Sequence, residues 1–231
     1  MKYLVVFEKA EPLRWLGHLD VLRAFERAVR RSRLPIAFTS GFNPRARLTF
    51  ASALGVGTTG EAEVMTIELT EDLPATTLVQ RMNACLPAGL RLLSAETVPD
   101  HGSRDLLNSY DRAQLRLTCS LQQAGTQEQV EAVLAQLRGM AVWEITRERE
   151  GRARTLDLRP FVLDIAVERL EGQEITFLAI VTIGQEGGAR PSEIADLLAS
   201  LLPGLELRRA HRVRLYQSVH PSDARRAPNE R

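Results

Sequence analysis

Long apolar runs are missing from this sequence, and so are paired cysteines, lysines and any appreciable net charge. No window approaches the roughly 20 apolar residues needed to cross a bilayer. The amino-terminal stretch MKYLVVFEKAEP meets charge at Glu8 before its apolar run reaches the length of a secretory signal. Both absences point to a cytoplasmic protein with no membrane association. The two cysteines, Cys85 and Cys119, lie far apart and form no Cys-x-x-Cys pattern. That spacing excludes a disulfide framework or a zinc knuckle and makes both residues expected core members. The four histidines, His18, His101, His211 and His220, have no metal-ligand spacing, so neither a metal nor a cofactor is expected. With a formal net charge of +1, attraction to a polyanion must come from local clusters rather than the overall field. Of 30 basic residues only Lys2 and Lys9 are lysine. Arginine's planar fork suits phosphate, but a bias spread along the whole chain says nothing about a site, and only clustering counts.

What the sequence does contain is a repeated grammar. Residues 63–70, EVMTIELT, alternate like a half-buried strand, and Pro74 then opens a helical pattern that ends at a Leu-Pro and leads into another strand. The same order returns at 174–183, EITFLAIVTI, with Pro191 opening the helix. Upstream of each, strands at 2–8 and 113–119 precede helices at about 18–33 and 126–138 and strands at 35–39 and 141–148. Each half reads β-α-β-β-α-β, so the expected fold is α+β, two tandem ferredoxin-like repeats with antiparallel sheets and helices on one face. The expected domains are 1–100 and 111–217, joined through the turn-rich segment from Asp100 to Tyr110, with a disordered tail at 218–231.

Charge clusters on the first helix. Val21, Leu22, Phe25, Ala28 and Val29 recur at helical spacing and face the sheet, while Arg23, Arg27, Arg30 and Arg31 occupy an arc of about 100° on the other side. A solvated face supported by pairs such as Asp20 with Arg23 accounts for such a stripe by itself. The next loop, GFNPRARLTF, weighs against that simple account. Asn43-Pro44 makes a turn, and Arg45 and Arg47 follow at alternate positions, where a strand brings both guanidinium groups to one side. Helix and loop then form one phosphate-binding surface built from Arg23, Arg27, Arg31, Asn43, Arg45 and Arg47. His18 starts the helix and, with Asp20, is placed to orient a bound group; it is also the one candidate general acid or base. GVGTTG at 55–60 matches a dinucleotide fingerprint in letters alone, because a strand pattern follows it where a helix is required. GQEGGARP at 184–191 puts a flexible glycine pair and Arg190 before a helix N-terminus, a place where an anion can be held.

The stretch RWLGHLDVLRAFERAVRRSRLPIAFTSGFNPRARLTFASALGVG resembles the bacterial radical-SAM-linked protein family, domain of unknown function 2344. TLDLRPFV at 155–162 and GGARP resemble two further segments of that family, and they bring in Arg159 and Arg190 as expected contacts from the second half. After Asn43-Pro44 the family carries a histidine where this chain has Arg45, so no role of that histidine transfers. The resemblance implies a radical SAM protein as partner and a place in RNA metabolism. No Cys-x-x-x-Cys-x-x-Cys triad occurs, so the chain is the accessory half and not the radical enzyme. The expected function is therefore an RNA-binding or substrate-presenting module without catalytic activity of its own. The alternatives are a metal-independent endoribonuclease of RAMP-like architecture using His18, and a protein-protein adaptor whose arginines meet an acidic surface.

Overall fold

The computed structural model describes residues 1–99, 103–149, 152–184 and 187–217, so the tail expected to be disordered lies outside the described residues. Alternation builds the first strand, β1 (Lys2–Lys9), which buries Tyr3, Val5, Phe7 and Lys9 on one face. A 3-10 turn at Glu11–Leu13 leads into α1 (His18–Ser32), followed by β2 (Leu48–Phe50), β3 (Thr58–Glu68), α2 (Ala75–Asn83) and β4 (Leu90–Val98). The second half runs α3 (Ser103–Asn108), β5 (Tyr110–Ser120), α4 (Gln127–Gly139), β6 (Glu144–Arg149), β7 (Arg152–Asp157), β8 (Val162–Glu171), β9 (Glu174–Thr182), α5 (Pro191–Leu201) and β10 (Glu206–Gln217). None of the described helices is long and apolar enough to cross a membrane.

The strands follow the order β4-β1-β3-β10-β5-β9-β8, with β2 also on β3. Numbered within each half, β4-β1-β3-β2 and β10-β5-β9-β8 both run fourth, first, third, second, the order of a split β-α-β unit. The halves share one sheet. β3 gives the end around Met65 to β2 and its start to β10, which pairs with it in parallel at Thr58–Ala210, Thr59–His211 and Gly60–Arg212.

Two expected strands are placed differently. At 35–39 there are only isolated bridges, Ile36 with Leu69 and Phe38 with Ala46, and the pairing strand is β2 instead. The apolar stretch at 141–148 becomes β6 of a separate hairpin with β7, and the main sheet takes β8 as its strand. The expected linker contains α3, whose Leu107 is buried in the core with Leu4 and Val64.

Helices α1, α2, α4 and α5 lie on one face of the sheet. Phe7 stands opposite Glu63, Glu63 bonds Arg212, and Arg212 stands opposite Leu115, so all four share that face. Phe7 packs with Val21, Phe25 and Val29 of α1, while Leu115 packs with Val130 and Leu134 of α4 and Ile194 and Leu198 of α5. Burying each such side chain contributes about 1.5–3 kcal/mol. Helix α1 stops where Arg33 takes a left-handed conformation, φ 53°, two residues before Pro35.

Candidate nucleic-acid interface

The apolar stripe on α1 turns Arg23, Arg27, Arg30 and Arg31 outward, and all four are exposed. The chain then folds back as a small hairpin. Thr39 N–H donates to the Arg45 carbonyl at 2.9 Å, Arg47 N–H to the Ala37 carbonyl at 2.9 Å, and Arg45 N–H to Thr39 Oγ1 at 3.0 Å. At its tip Gly41 adopts φ 123°, a conformation closed to most side chains, and Phe42 projects fully into solvent. Helix and hairpin enclose a cleft of about 530 Å3 lined by Arg23, Arg30, Asn43 and Arg45, with one carboxylate, Glu26, and the apolar Leu19, Leu22 and Phe38. Arg23 makes a 3.4 Å exposed contact with Asp20, and no ion pair holds Arg30 or Arg45 among the described residues. The cleft thus sets three guanidinium groups beside a half-exposed aromatic ring, Phe38.

The other expected contacts divide. Arg27 and Arg31 lie round the helix, against Cys85 and Pro87, in a second shallow cleft that Arg30 also borders. Arg47 does not join Arg45, because its guanidinium donates to Glu68 at 3.1 Å and to the Phe38 carbonyl at 3.4 Å. Burial opposes ionisation of Glu68, but bonds from Lys2 and Arg47 hold its carboxyl below the ordinary range. Arg159 closes the C-terminus of α4, donating to the carbonyls of Arg138 at 3.1 Å and Met140 at 2.8 Å. Arg190 stands at the N-cap of α5, yet the N-terminus that GGARP was expected to offer to an anion is already taken. The Glu193 carboxylate accepts the Arg190 N–H at 2.9 Å and is gripped by Arg147, Nε at 2.7 Å and Nη2 at 2.8 Å.

His18 does not face the arginine cleft. Its ring packs edge-on against Phe50, centroids 5.0 Å apart, beside Phe7, Lys9, Val21 and Glu63. The space there is about 10 Å3, at the lower limit for one water. Burial, reinforced by the Arg212 charge, lowers its pKa and keeps the imidazole neutral.

A buried ion group at the junction of the halves was not read from the sequence. Lys9, Glu63 and Arg212 are 1%, 2% and 4% exposed. Arg212 grips Glu63 in a fork, Nε to Oε1 at 2.7 Å and Nη2 to Oε2. Lys9 Nζ donates to the carbonyls of Arg14 at 3.1 Å, Leu16 at 2.7 Å and Thr58 at 3.0 Å, which uses all three of its N–H groups. Burial pulls Lys9 down to about 8, Glu63 raising and Arg212 lowering it, so it stays protonated at neutral pH. One signal was available: Lys9 continues the buried register Tyr3, Val5, Phe7, a position where a charge must find partners. Cys119 is fully buried and its thiol is pushed up to about 12 by desolvation, whereas Cys85 is only half-buried, against expectation.

These features define an α+β protein with a continuous sheet and a cationic cleft on its helical face. The chain belongs to the family described as uncharacterized protein conserved in bacteria (DUF2344), whose model matches residues 2–191. No curated protein matches it. Among solved structures it is similar to a chain of a Cbf5-Nop10-Gar1 complex, at 12% identity and a TM-score of 0.52, covering 94% of this chain and 50% of that one. It is also similar to a chain of an archaeal box H/ACA sRNP Nop10-Cbf5 complex at 13% identity and TM-score 0.47, covering 92% of this chain and 47% of the other. A chain of an H/ACA RNP bound to a substrate RNA containing 2'-deoxyuridine gives 14% and 0.47, covering 94% and 49%. The chain thus spans about half the length of these three solved chains, and at this identity the likeness concerns the fold alone.

Proposed function

We propose that this protein is a cytoplasmic RNA-binding module that holds a single-stranded segment in the cleft between α1 and the hairpin at 37–47. The observation that carries this reading is the meeting of Arg23, Arg30 and Arg45 with Asn43 and Phe38 across one cleft, from two segments separated in sequence. Arg23, Arg30 and Arg45 contact phosphates, Asn43 offers an amide to a base edge, and Phe38 supplies a stacking surface. Arg27 and Arg31 extend the cationic surface round the helix. The motif resemblance adds an expected partner, a radical SAM protein, to which this chain presents its RNA; copurification from native cells tests that association.

The direct test is binding of a labelled single-stranded RNA across a salt series. Replacing Arg23 and Arg45 together with Glu weakens binding at least tenfold and lowers the slope of log affinity against log salt by about 1.4, since two phosphate contacts release about 0.7 counterion each. Unchanged affinity and slope overturn the RNA reading and leave the adaptor reading, in which the same arginines meet an acidic protein surface.

A further inference from the structure

We infer that a second cleft, where the two halves of the sheet meet, binds one nucleoside phosphate, independently of the surface formed by α1 and the hairpin. It lies on the helical face between the chain entering α1 and the chain entering α5, and encloses about 810 Å3. That falls within the roughly 300–1,000 Å3 of small-ligand sites. Its floor is apolar, with Leu115 of β5, Val181 of β9 and Ala210 of β10. No Asp or Glu is among the described residues lining it, whereas five arginines are.

Three of those arginines are committed to the fold. Arg147 holds Glu193 and the Gly188 carbonyl, Arg212 holds Glu63, and Arg208 holds Ser120 and Glu206. Arg190 is different. It is 61% exposed, and its 3.7 Å approach to Glu193 is to a carboxylate already gripped by Arg147. Among the described residues one negative charge thus serves two cations, and a positive charge is left at the mouth of the cleft. Across from it stands Trp15, 66% exposed beside Val56, which is 64% exposed. The Arg14 guanidinium lies 4.4 Å from the centre of the Trp15 ring.

This rim is held in place rather than loose. Lys9 bonds the carbonyls on both sides of Trp15, those of Arg14 and Leu16, and Gly57 N–H donates to the Arg14 carbonyl at 2.8 Å. Gly57 has φ 80°, and a Cβ there would touch the Trp15 ring at 3.4 Å. A fixed, exposed indole, an apolar floor and a surplus guanidinium together fit a planar base joined to a phosphate: the base stacks on Trp15 and the floor, and the phosphate pairs with Arg190. A free nucleotide and a nucleotide unit of a bound RNA carry the same chemistry.

Intrinsic fluorescence reads this site. The chain has two tryptophans, and Trp143 is 5% exposed with its Nε1–H on the Leu137 carbonyl, so Trp15 is the one a ligand reaches. The full-length protein is titrated with AMP, UMP, adenosine, inorganic phosphate and a single-stranded tetranucleotide RNA. Saturable quenching by AMP or UMP identifies a site for free nucleotide, and saturation by the tetranucleotide alone identifies a site for a unit of RNA. In either case Trp15→Phe removes the signal and Arg190→Ala raises the half-saturation concentration about tenfold or more. Arg23→Glu with Arg45→Glu leaves mononucleotide quenching unchanged, which separates this site from the helix-hairpin cleft. The inference is overturned if no nucleotide or RNA saturates the signal, if Arg190→Ala leaves it unaltered, or if inorganic phosphate saturates it as well as AMP and UMP do.

Discussion

Glu63 is the counter-charge to Arg212 at the junction and stands close to Lys9, both of them buried. Its carboxylate fits only because residue 60 is glycine: a Cβ there would lie 2.5 Å from Glu63 Oε1. Glu63→Gln leaves two buried cations without a counter-charge and lowers stability by about 3–5 kcal/mol. Gly60→Ala forces the carboxylate off Arg212 and costs about 1–3 kcal/mol. Urea unfolding checks both, and a loss within experimental error in Glu63→Gln contradicts the ion group's role. His18 is the second single-residue test. Its folded pKa lies below the ordinary 6.5 through burial and the Arg212 charge. Between those two values the unfolded chain binds a proton that the folded chain does not, so stability falls as pH drops below 6.5, and the decline ends below the lowered pKa. His18→Gln removes that component. Urea midpoints at pH 7.5 and pH 5.5 then differ less in the variant than in the wild type, and equal differences contradict a neutral, half-buried His18.

Among the elements, α1 does two jobs with one pattern. The stripe from Val21 to Val29 fastens it to the sheet, and the opposite arc presents the arginines. That amphipathic pattern was legible because a helix repeats every 3.6 residues and the residues concerned are local. The hairpin at 37–47 was legible in its turn chemistry, Gly41 and Asn43-Pro44, but not in its pairing. The run at 35–39 has strand composition, yet Phe38 bridges Ala46 within the hairpin, and the sheet edge goes to β2. In the second half the same ambiguity sent 144–149 into a hairpin outside the main sheet, where β6 carries Arg147 to Glu193. Short apolar runs state that a strand exists; which neighbour it pairs with depends on the rest of the chain. Arg45 and Arg47 were expected side by side for the same reason of alternation, and they parted because Glu68 stands within reach of only Arg47.

Over the whole molecule, one sheet runs through both halves, joined by the parallel contact of β3 with β10, the Glu63–Arg212 fork and the 2.7 Å contact of Thr59 Oγ1 with His211 Nδ1. Leu107 of α3 adds a packing contact beside Leu4 and Val64. A protease site introduced at residues 100–102 and cut in the folded protein therefore gives fragments that stay together on gel filtration. Fragments that separate on cutting contradict a shared junction and favour independent units at 1–100 and 111–217. The junction cleft rests on this arrangement, since its walls come from both halves, whereas the helix-hairpin cleft is built within residues 19–46.

The sequence by itself determined the periodic features: the strands β1, β3, β5 and β9, the helices α1, α2, α4 and α5, the buried stripe and basic arc of α1, and the turns at glycine and proline, all of which are set by residues within a few positions of one another. Only the tertiary structure decided which charges are available to a ligand. Arg47, Arg147, Arg159 and Arg212 are each bound to at least one acceptor 19 or more residues away in the chain, while Arg30 and Arg45 face an open cleft. Whether a guanidinium is a strut or a contact depends on what the fold brings within about 3 Å of it, and local pattern holds no record of that distance.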